Sequence, residues 1–206
     1  DSRQLADSTA LAMRSQGGGE QGTFGMLEAT RAEVNDIAAQ LRSAGLQQVK
    51  PIMADAATEA VFRALSGTRV NLIHIASHGA WRGTSSTKAH EAMTKSLLAF
   101  AGANFGGEAD NDGIVTAADV ADMDLRQCDL VVLSACETGL GHLDADGVYG
   151  LQRGFKNAGV HTLLMSLKEV YDTSTACMMS AFYRHLLAGC SKAEALRRAQ
   201  QAVRQA

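Results

Sequence analysis

Two stretches of the sequence end in residues that could carry out nucleophilic chemistry. The apolar run 70–76 is followed by His78 and Gly79, and the apolar run 130–135 is followed by Cys136. A thiolate is a strong nucleophile, and a neighbouring imidazole favours its formation. If the two runs are neighbouring parallel strands, both side chains emerge at the carboxyl edge of one sheet, where reacting groups collect. The pattern therefore predicts a cysteine nucleophile with a histidine base.

The glycine after the histidine adds a second chemical element to this prediction. Gly79 lets the backbone turn tightly and bring its N–H toward a reacting carbonyl, and the N–H of Cys136 can point to the same place. Two such donors would form an oxyanion hole for acyl transfer. A single cysteine or histidine after a strand is commonly structural, as we expect for His74. The joint placement of Cys136 and His78 favours a functional site.

Length and composition exclude several classes of protein. The chain has 206 residues, which suits one α/β domain, and its formal net charge of −3 argues against direct nucleic-acid binding. The four cysteines lack C-x-x-C spacing, so we expect neither a disulfide framework nor a bound metal. Free cysteines fit a reducing compartment, so we expect a cytoplasmic setting. No apolar run approaches the roughly 20 residues that span a bilayer, and no signal peptide is visible, so we expect no membrane partner. The chain starts at Asp1 and not at methionine, so the sequence leaves open whether another domain precedes it.

Helical and strand patterns alternate along the chain, which predicts a mainly parallel sheet with helices on both faces. Residues 1–22 are polar with a glycine triplet and favour a flexible linker before a domain over 23–206. Strands are predicted over 49–53, 70–76, 96–101, 130–135 and 160–167. Helices are predicted over 27–41, 56–65 with Asp55 as its cap, 148–158, 173–187 and 191–203, with a short helix opened by a Thr116–Asp119 capping box.

Several segments together resemble the CHAT domain family of caspase-like cysteine peptidases. The resemblance spans roughly residues 24–203 and is specific in the combination of its motifs. The segments that carry it are LIHIASHG at 72–79, AGAN at 101–104, DGIVTA at 112–117, DLVVLSACETGLG at 129–141, GVYGLQRGF at 147–155, AGV at 158–160, MSL at 165–167, FY at 182–183 and AEALR at 193–197.

The resemblance implies a caspase-like three-layer αβα sandwich, related to those of caspases, separase and gingipains. It further implies cleavage of peptide bonds in a protein or peptide substrate by a dyad, with His78 as base and Cys136 as nucleophile, and no metal or other cofactor. CHAT domains often follow tetratricopeptide repeats or other sensor modules, so a repeat domain or regulatory protein is an expected partner. Lys168 departs from the family pattern, which commonly has tryptophan there, so this wall of the cleft is expected to differ.

The sequence leaves the determinants of substrate choice open. Asp172 falls where caspase-like folds line the pocket for the residue before the scissile bond, and a carboxylate there would favour arginine or lysine. An aspartate before Thr173 is also an ordinary helix cap. Asp146 could hold a basic substrate or solvate a turn, and Glu137 could orient His78, contact substrate or be an exposed loop residue.

Two alternative functions remain compatible with the sequence. An inactive signalling module of the same fold could bind partner proteins through the segment 82–112. A Cys–His acyl transferase or hydrolase for small molecules is less favoured, because Cys136 does not lie in the G-x-C-x-G turn typical of α/β-hydrolase nucleophiles.

Overall fold

The computed structural model describes residues 10–13, 24, 27, 29–82, 88–105, 111–134, 142–144, 147–166 and 172–205. The strands are β1 Ala10–Met13, β2 Val49–Pro51, β3 Leu72–Ala76, β4 Gly79–Trp81, β5 Ser96–Ala99, β6 Ile114–Thr116, β7 Leu130–Ser134, β8 His142–Asp144, β9 Gly147–Tyr149 and β10 Leu163–Met165. The helices are α1 Thr30–Ser43, α2 Glu59–Arg63, α3 Ala89–Lys95, α4 Ala117–Ala121, α5 Leu151–Asn157, α6 Asp172–Leu187 and α7 Lys192–Gln205, with a 3₁₀ turn at Ala54–Ala56.

A parallel sheet forms the middle layer of the domain. Among the described residues it has five strands in the order β10-β7-β3-β1-β2, and every neighbouring pair is parallel. One apolar core packs this sheet against α2, α4 and α5, and another packs it against α1, α6 and α7. The predicted three-layer αβα sandwich is therefore confirmed.

The two central motif strands are buried along their whole length. All residues of β3 and β7 are buried, and successive side chains alternate between the two cores, as in the case of Leu72 and Ile73. A strand covered on both faces needs no polar alternation, which is why both strands are mostly apolar in sequence.

Strand β1 contradicts part of the predicted linker. Ala10–Met13 lies between β3 and β2 and pairs with both, so for these four residues the linker interpretation is wrong. Four apolar residues inside a polar, glycine-containing segment give too little local pattern to identify a strand, and pairing on both sides stabilises it here. The remainder of the segment 1–22 lies outside the described residues.

A small antiparallel sheet follows β3, and the sequence predicted only part of it. Its order is β4-β5-β6, and its middle strand Ser96–Ala99 confirms the strand predicted over 96–101. Helix α3, β4 and β6 were not predicted, because elements of three to seven residues carry little periodicity. β8 and β9 form a separate two-stranded antiparallel pair.

Helix ends follow the sequence signals with two corrections. The helix predicted over 148–158 begins only at Leu151, because Gly147–Tyr149 forms strand β9 and Gly150, with φ of 135°, is not helical. Thr116 and Asp119 form the predicted capping box at the start of α4. The helix expected after Asp55 instead begins at Glu59, because the Thr58 hydroxyl accepts the hydrogen bond from the amide of Val61, at 3.3 Å. In the part of the chain that the structure describes, none of the helices is long and apolar enough to cross a membrane.

Candidate active site

The two motif strands are parallel neighbours whose ends lie in register. β3 pairs with β7 so that Ala76 lies opposite Ser134. His78 is the second residue after Ala76, and in the sequence Cys136 is the second residue after Ser134. Cys136 lies outside the described residues, as do Glu137 and Asp146. The predicted adjacency of the strands is confirmed, whereas the roles of these three residues stay predictions.

The backbone around His78 is fastened to the end of β5. The amide of Ala99 donates a hydrogen bond to the carbonyl of His78 at 2.9 Å, and the hydroxyl of Ser77 donates to the carbonyl of Ala99. Ser77 is completely buried. Gly79 then begins β4 opposite Leu98 of β5. Ser77 was not identified from the sequence, although a hydroxyl residue between an apolar strand and a histidine was a usable signal.

An aromatic ring lies against the half-buried imidazole of His78. The ring centroids of Phe24 and His78 are 5.4 Å apart, and the ring planes are tilted by 33°. Phe24 was not identified from the sequence, because its contact with a residue so distant in the chain has no local signal.

His74 is the buried supporting histidine that the sequence predicted. Its Nε2 lies 3.0 Å from Oε1 of Glu33, and its Nδ1 lies 3.1 Å from the hydroxyl of Tyr183. Burial, together with the negative charge of Glu33, raises the pKa of Tyr183 well above its usual value. The phenol therefore stays protonated and can donate a hydrogen bond to His74.

Asp172 is the first residue of α6. Its side chain lies outside the described part of the structure, so its two possible roles, pocket residue and helix cap, both stay predictions.

The cysteines that the structure describes are free thiols with very different surroundings. Cys128 is buried, Cys190 is partly buried and Cys177 is exposed. Burial raises the pKa of the Cys128 thiol to about 12, which leaves it unreactive near neutral pH. Within the described residues, no group of three or more His, Cys, Asp or Glu side chains could hold a metal ion.

The sandwich and its strand-end histidine define a caspase-like α/β protein, and comparison with solved structures supports this class. The crystal structure of the Arg-specific cysteine proteinase gingipain R superposes with a TM-score of 0.57 and covers 98% of this chain and 43% of that chain. Sequence identity is 12%, so this likeness concerns the fold.

The chain belongs to the CHAT domain family, whose family model matches residues 2–206. Its curated relatives include tetratricopeptide repeat protein 28 of Homo sapiens, 38% identical over 90 residues, and that of Mus musculus, 36% identical over 90 residues. The aligned part is 44% of this chain and 4% of each relative, so the chain corresponds to a small fraction of these proteins.

Proposed function

We propose that this domain is a caspase-like cysteine endopeptidase in which His78 activates Cys136. The observation that carries the proposal is the register of β3 and β7, which pairs Ala76 with Ser134. Histidine and cysteine each follow these paired residues by two positions in the sequence. Residues that leave neighbouring parallel strands at the same level can meet at the carboxyl edge of the sheet.

The chemistry proceeds in two acyl-transfer steps. His78 takes the thiol proton of Cys136, and the sulfur attacks the carbonyl carbon of the scissile peptide. When the tetrahedral intermediate collapses, the C–N bond breaks and the imidazolium of His78 gives its proton to the leaving amine. His78 then takes a proton from water, whose oxygen attacks the thioester, and the carboxylic acid and free thiol are released.

The position of Gly79 supports its role as an oxyanion donor. Hydrogen bonds join His78 to Ala99 and Arg82 to Lys95, and such pairs alternate with non-hydrogen-bonded pairs in an antiparallel ladder. Gly79 and Leu98 form one of the intervening pairs. The N–H of Gly79 is therefore directed away from β5, and we propose that it binds the oxyanion together with the N–H of Cys136.

We further propose that the substrate carries arginine or lysine before the scissile bond. Asp172 at the start of α6 supplies the carboxylate that would hold this basic side chain, with Asp146 and Glu137 as additional contacts. Gingipain R is described as an Arg-specific cysteine proteinase, and its likeness to this chain is one reason to test basic substrates first.

A repeat-containing module is the proposed regulatory partner. The support is the match between 90 residues of this chain and tetratricopeptide repeat protein 28 of two mammals. Such a module would admit protein substrates to the site only when it has received its own signal.

The test is profiling of peptide cleavage by mass spectrometry with the wild-type chain and with Cys136→Ala and His78→Ala. Cys177→Ala is the matched control, because it removes an exposed thiol that lies on α6. We expect both dyad variants to lose cleavage and the control to keep it. Cleavage that survives in Cys136→Ala would refute the peptidase assignment.

Labelling with an electrophilic peptide probe separates the peptidase from an inactive interaction module. Selective modification of Cys136 over the other cysteines supports the dyad, and equal, slow labelling of all cysteines supports the inactive module.

The variant Asp172→Ala tests the two possible roles of this residue. Loss of selectivity for basic substrates supports a pocket residue, whereas a loss of stability alone supports a helix cap.

A further inference from the structure

Asn104 binds the backbone of Phe24 through both ends of its side-chain amide. The amide N–H of Phe24 donates to Oδ1 of Asn104 at 2.8 Å, and Nδ2 of Asn104 donates to the carbonyl of Phe24 at 3.0 Å. The two residues are 80 positions apart in the chain. This pair of bonds fixes both the place and the direction of the Phe24 backbone.

The turn that carries Asn104 is itself held by backbone hydrogen bonds. The amide of Phe105 donates to the carbonyl of Gly102 at 2.9 Å, and the amide of Phe100 donates to the carbonyl of Gly113 at 2.7 Å. A Cβ on Gly113 would collide with the backbone of Ala103, so the turn is packed closely against its neighbour. One chain segment thus makes both contacts. It begins with β5, which binds the His78 backbone, and it ends with the turn that holds Phe24.

We propose that Phe24 is a positioning residue for His78 and that Asn104 acts on His78 through Phe24. The proposal rests on the proposed function, because it assigns the aromatic contact a part in the dyad. The Phe24 ring lies 5.4 Å from the His78 ring at a tilt of 33°. Aromatic rings at this separation attract one another and restrict their relative orientation.

The consequence for the dyad follows from the planarity of imidazole. Both nitrogens of His78 lie in the ring plane, so a neighbour that restricts the plane also restricts the directions in which the nitrogens point. Proton transfer from Cys136 requires one nitrogen within hydrogen-bond reach of the sulfur. Phe24 thus lowers the number of unproductive ring orientations without touching the substrate.

The experiment measures kcat and KM for a cleaved peptide in five single variants of the same chain and in the double variant Phe24→Ala/Asn104→Ala. Phe24→Ala removes the ring, Phe24→Leu keeps apolar volume without it, and Phe24→Tyr restores it. Asn104→Ala removes both hydrogen bonds to Phe24. Phe105→Ala is the matched control, because this neighbouring aromatic side chain is 87% exposed.

We expect Phe24→Ala and Phe24→Leu to lower kcat about tenfold or more with little change in KM, because misplacement of a reacting group is felt in the chemical step. Phe24→Tyr recovers the rate, and Phe105→Ala keeps it. Asn104→Ala lowers kcat in the same direction. In a Phe24→Ala background Asn104→Ala adds almost no further loss, because the ring through which it acts is absent.

A second readout uses no substrate. The rate at which iodoacetamide alkylates Cys136 reports the thiolate that His78 stabilises. A rate that falls in His78→Ala and also in Phe24→Leu supports the proposal, even if no peptide is cleaved. If the rate falls in His78→Ala but not in Phe24→Leu, the positioning role is wrong and the dyad stands. If His78→Ala leaves the rate unchanged, the dyad is refuted, and the role of Phe24 with it.

Discussion

Oε1 of Glu33 lies 3.0 Å from Nε2 of His74, and both side chains are 1% exposed. The other ring nitrogen lies 3.1 Å from the hydroxyl of Tyr183. A neutral imidazole satisfies both contacts when Nε2–H donates to Glu33 and the phenol donates to Nδ1. The network joins α1 and α6 to β3, the strand that leads to His78.

Removal of Glu33 is expected to destabilise the fold. Glu33→Ala leaves the buried Nε2–H of His74 without its acceptor, and an unsatisfied buried donor costs about 1–3 kcal/mol. Glu33→Gln keeps an acceptor oxygen and should cost less. Urea unfolding followed by circular dichroism gives both free energies. Equal stability of the alanine variant and the wild type would show that the contact contributes nothing.

Ser77 and Ser96 are both buried, yet their replacement by alanine should have different effects. Ser77→Ala removes the hydrogen bond to the Ala99 carbonyl and should cost about 1–3 kcal/mol. Ser96 is 1% exposed, and its hydroxyl has no hydrogen-bond partner among the described residues, so Ser96→Ala should be neutral or stabilising. Thermal unfolding of the two variants measures their stabilities. A similar loss of stability in both variants would contradict this prediction.

Gly113→Ala should cost more stability than Gly102→Ala. Both glycines have positive φ, of +77° and +101°, so alanine strains the backbone at either position. A Cβ at Gly113 additionally collides with the Ala103 backbone, whereas a Cβ at Gly102 meets nothing within 4 Å. The urea concentration at the unfolding midpoint, measured for each variant, tests this order of stability. Gly113→Ala should also lower kcat, because the added Cβ would displace the turn that carries Asn104.

Asp119 should contribute stability that disappears in acid. Burial on its own raises the pKa of Asp119, but hydrogen bonds from Thr116 and the Arg63 guanidinium bring it below its ordinary value of 3.8. A group with a lowered folded pKa stabilises the protein above its unfolded pKa, and this stability is lost as the pH falls through the folded value. Asp119→Asn should therefore be less stable at neutral pH, with a difference that narrows below 3.8.

The control for this acid dependence is Thr116→Ser, which keeps the hydroxyl that contacts Asp119 at 2.5 Å. Its stability should fall with decreasing pH as in the wild type. Stability measured by urea unfolding across the acid range tests both variants, and a constant gap between Asp119→Asn and wild type would argue against the linkage.

Cys128 should resist alkylation in the folded protein. With its pKa raised by burial to about 12, only about 1 in 10,000 molecules carries the thiolate at about pH 8. Exposed Cys177 should be labelled first, and urea should release Cys128 for labelling. Peptide mass spectrometry assigns each modification. Early labelling of Cys128 without denaturant would show that its environment opens readily.

Elements with strong local signals were predictable from sequence. Helix α1 at Thr30–Ser43 and helix α7 at Lys192–Gln205 follow helical spacing, and β3 and β7 are mostly apolar runs. The capping box of α4 also depends only on residues three positions apart. Strand β1 and helix α3 were missed, because a short element draws its stability from neighbours that are distant in sequence.

The sequence by itself determined the α/β class, the two strand-end motifs and the prediction of a His78–Cys136 dyad, since periodicity and short motifs are local properties. Only the tertiary structure decided that β3 and β7 lie in register, that His74 contacts Glu33 and Tyr183, and that the Phe24 ring lies against His78. These contacts join residues 41 to 109 positions apart, and the packing of layers, which no local pattern encodes, selects them.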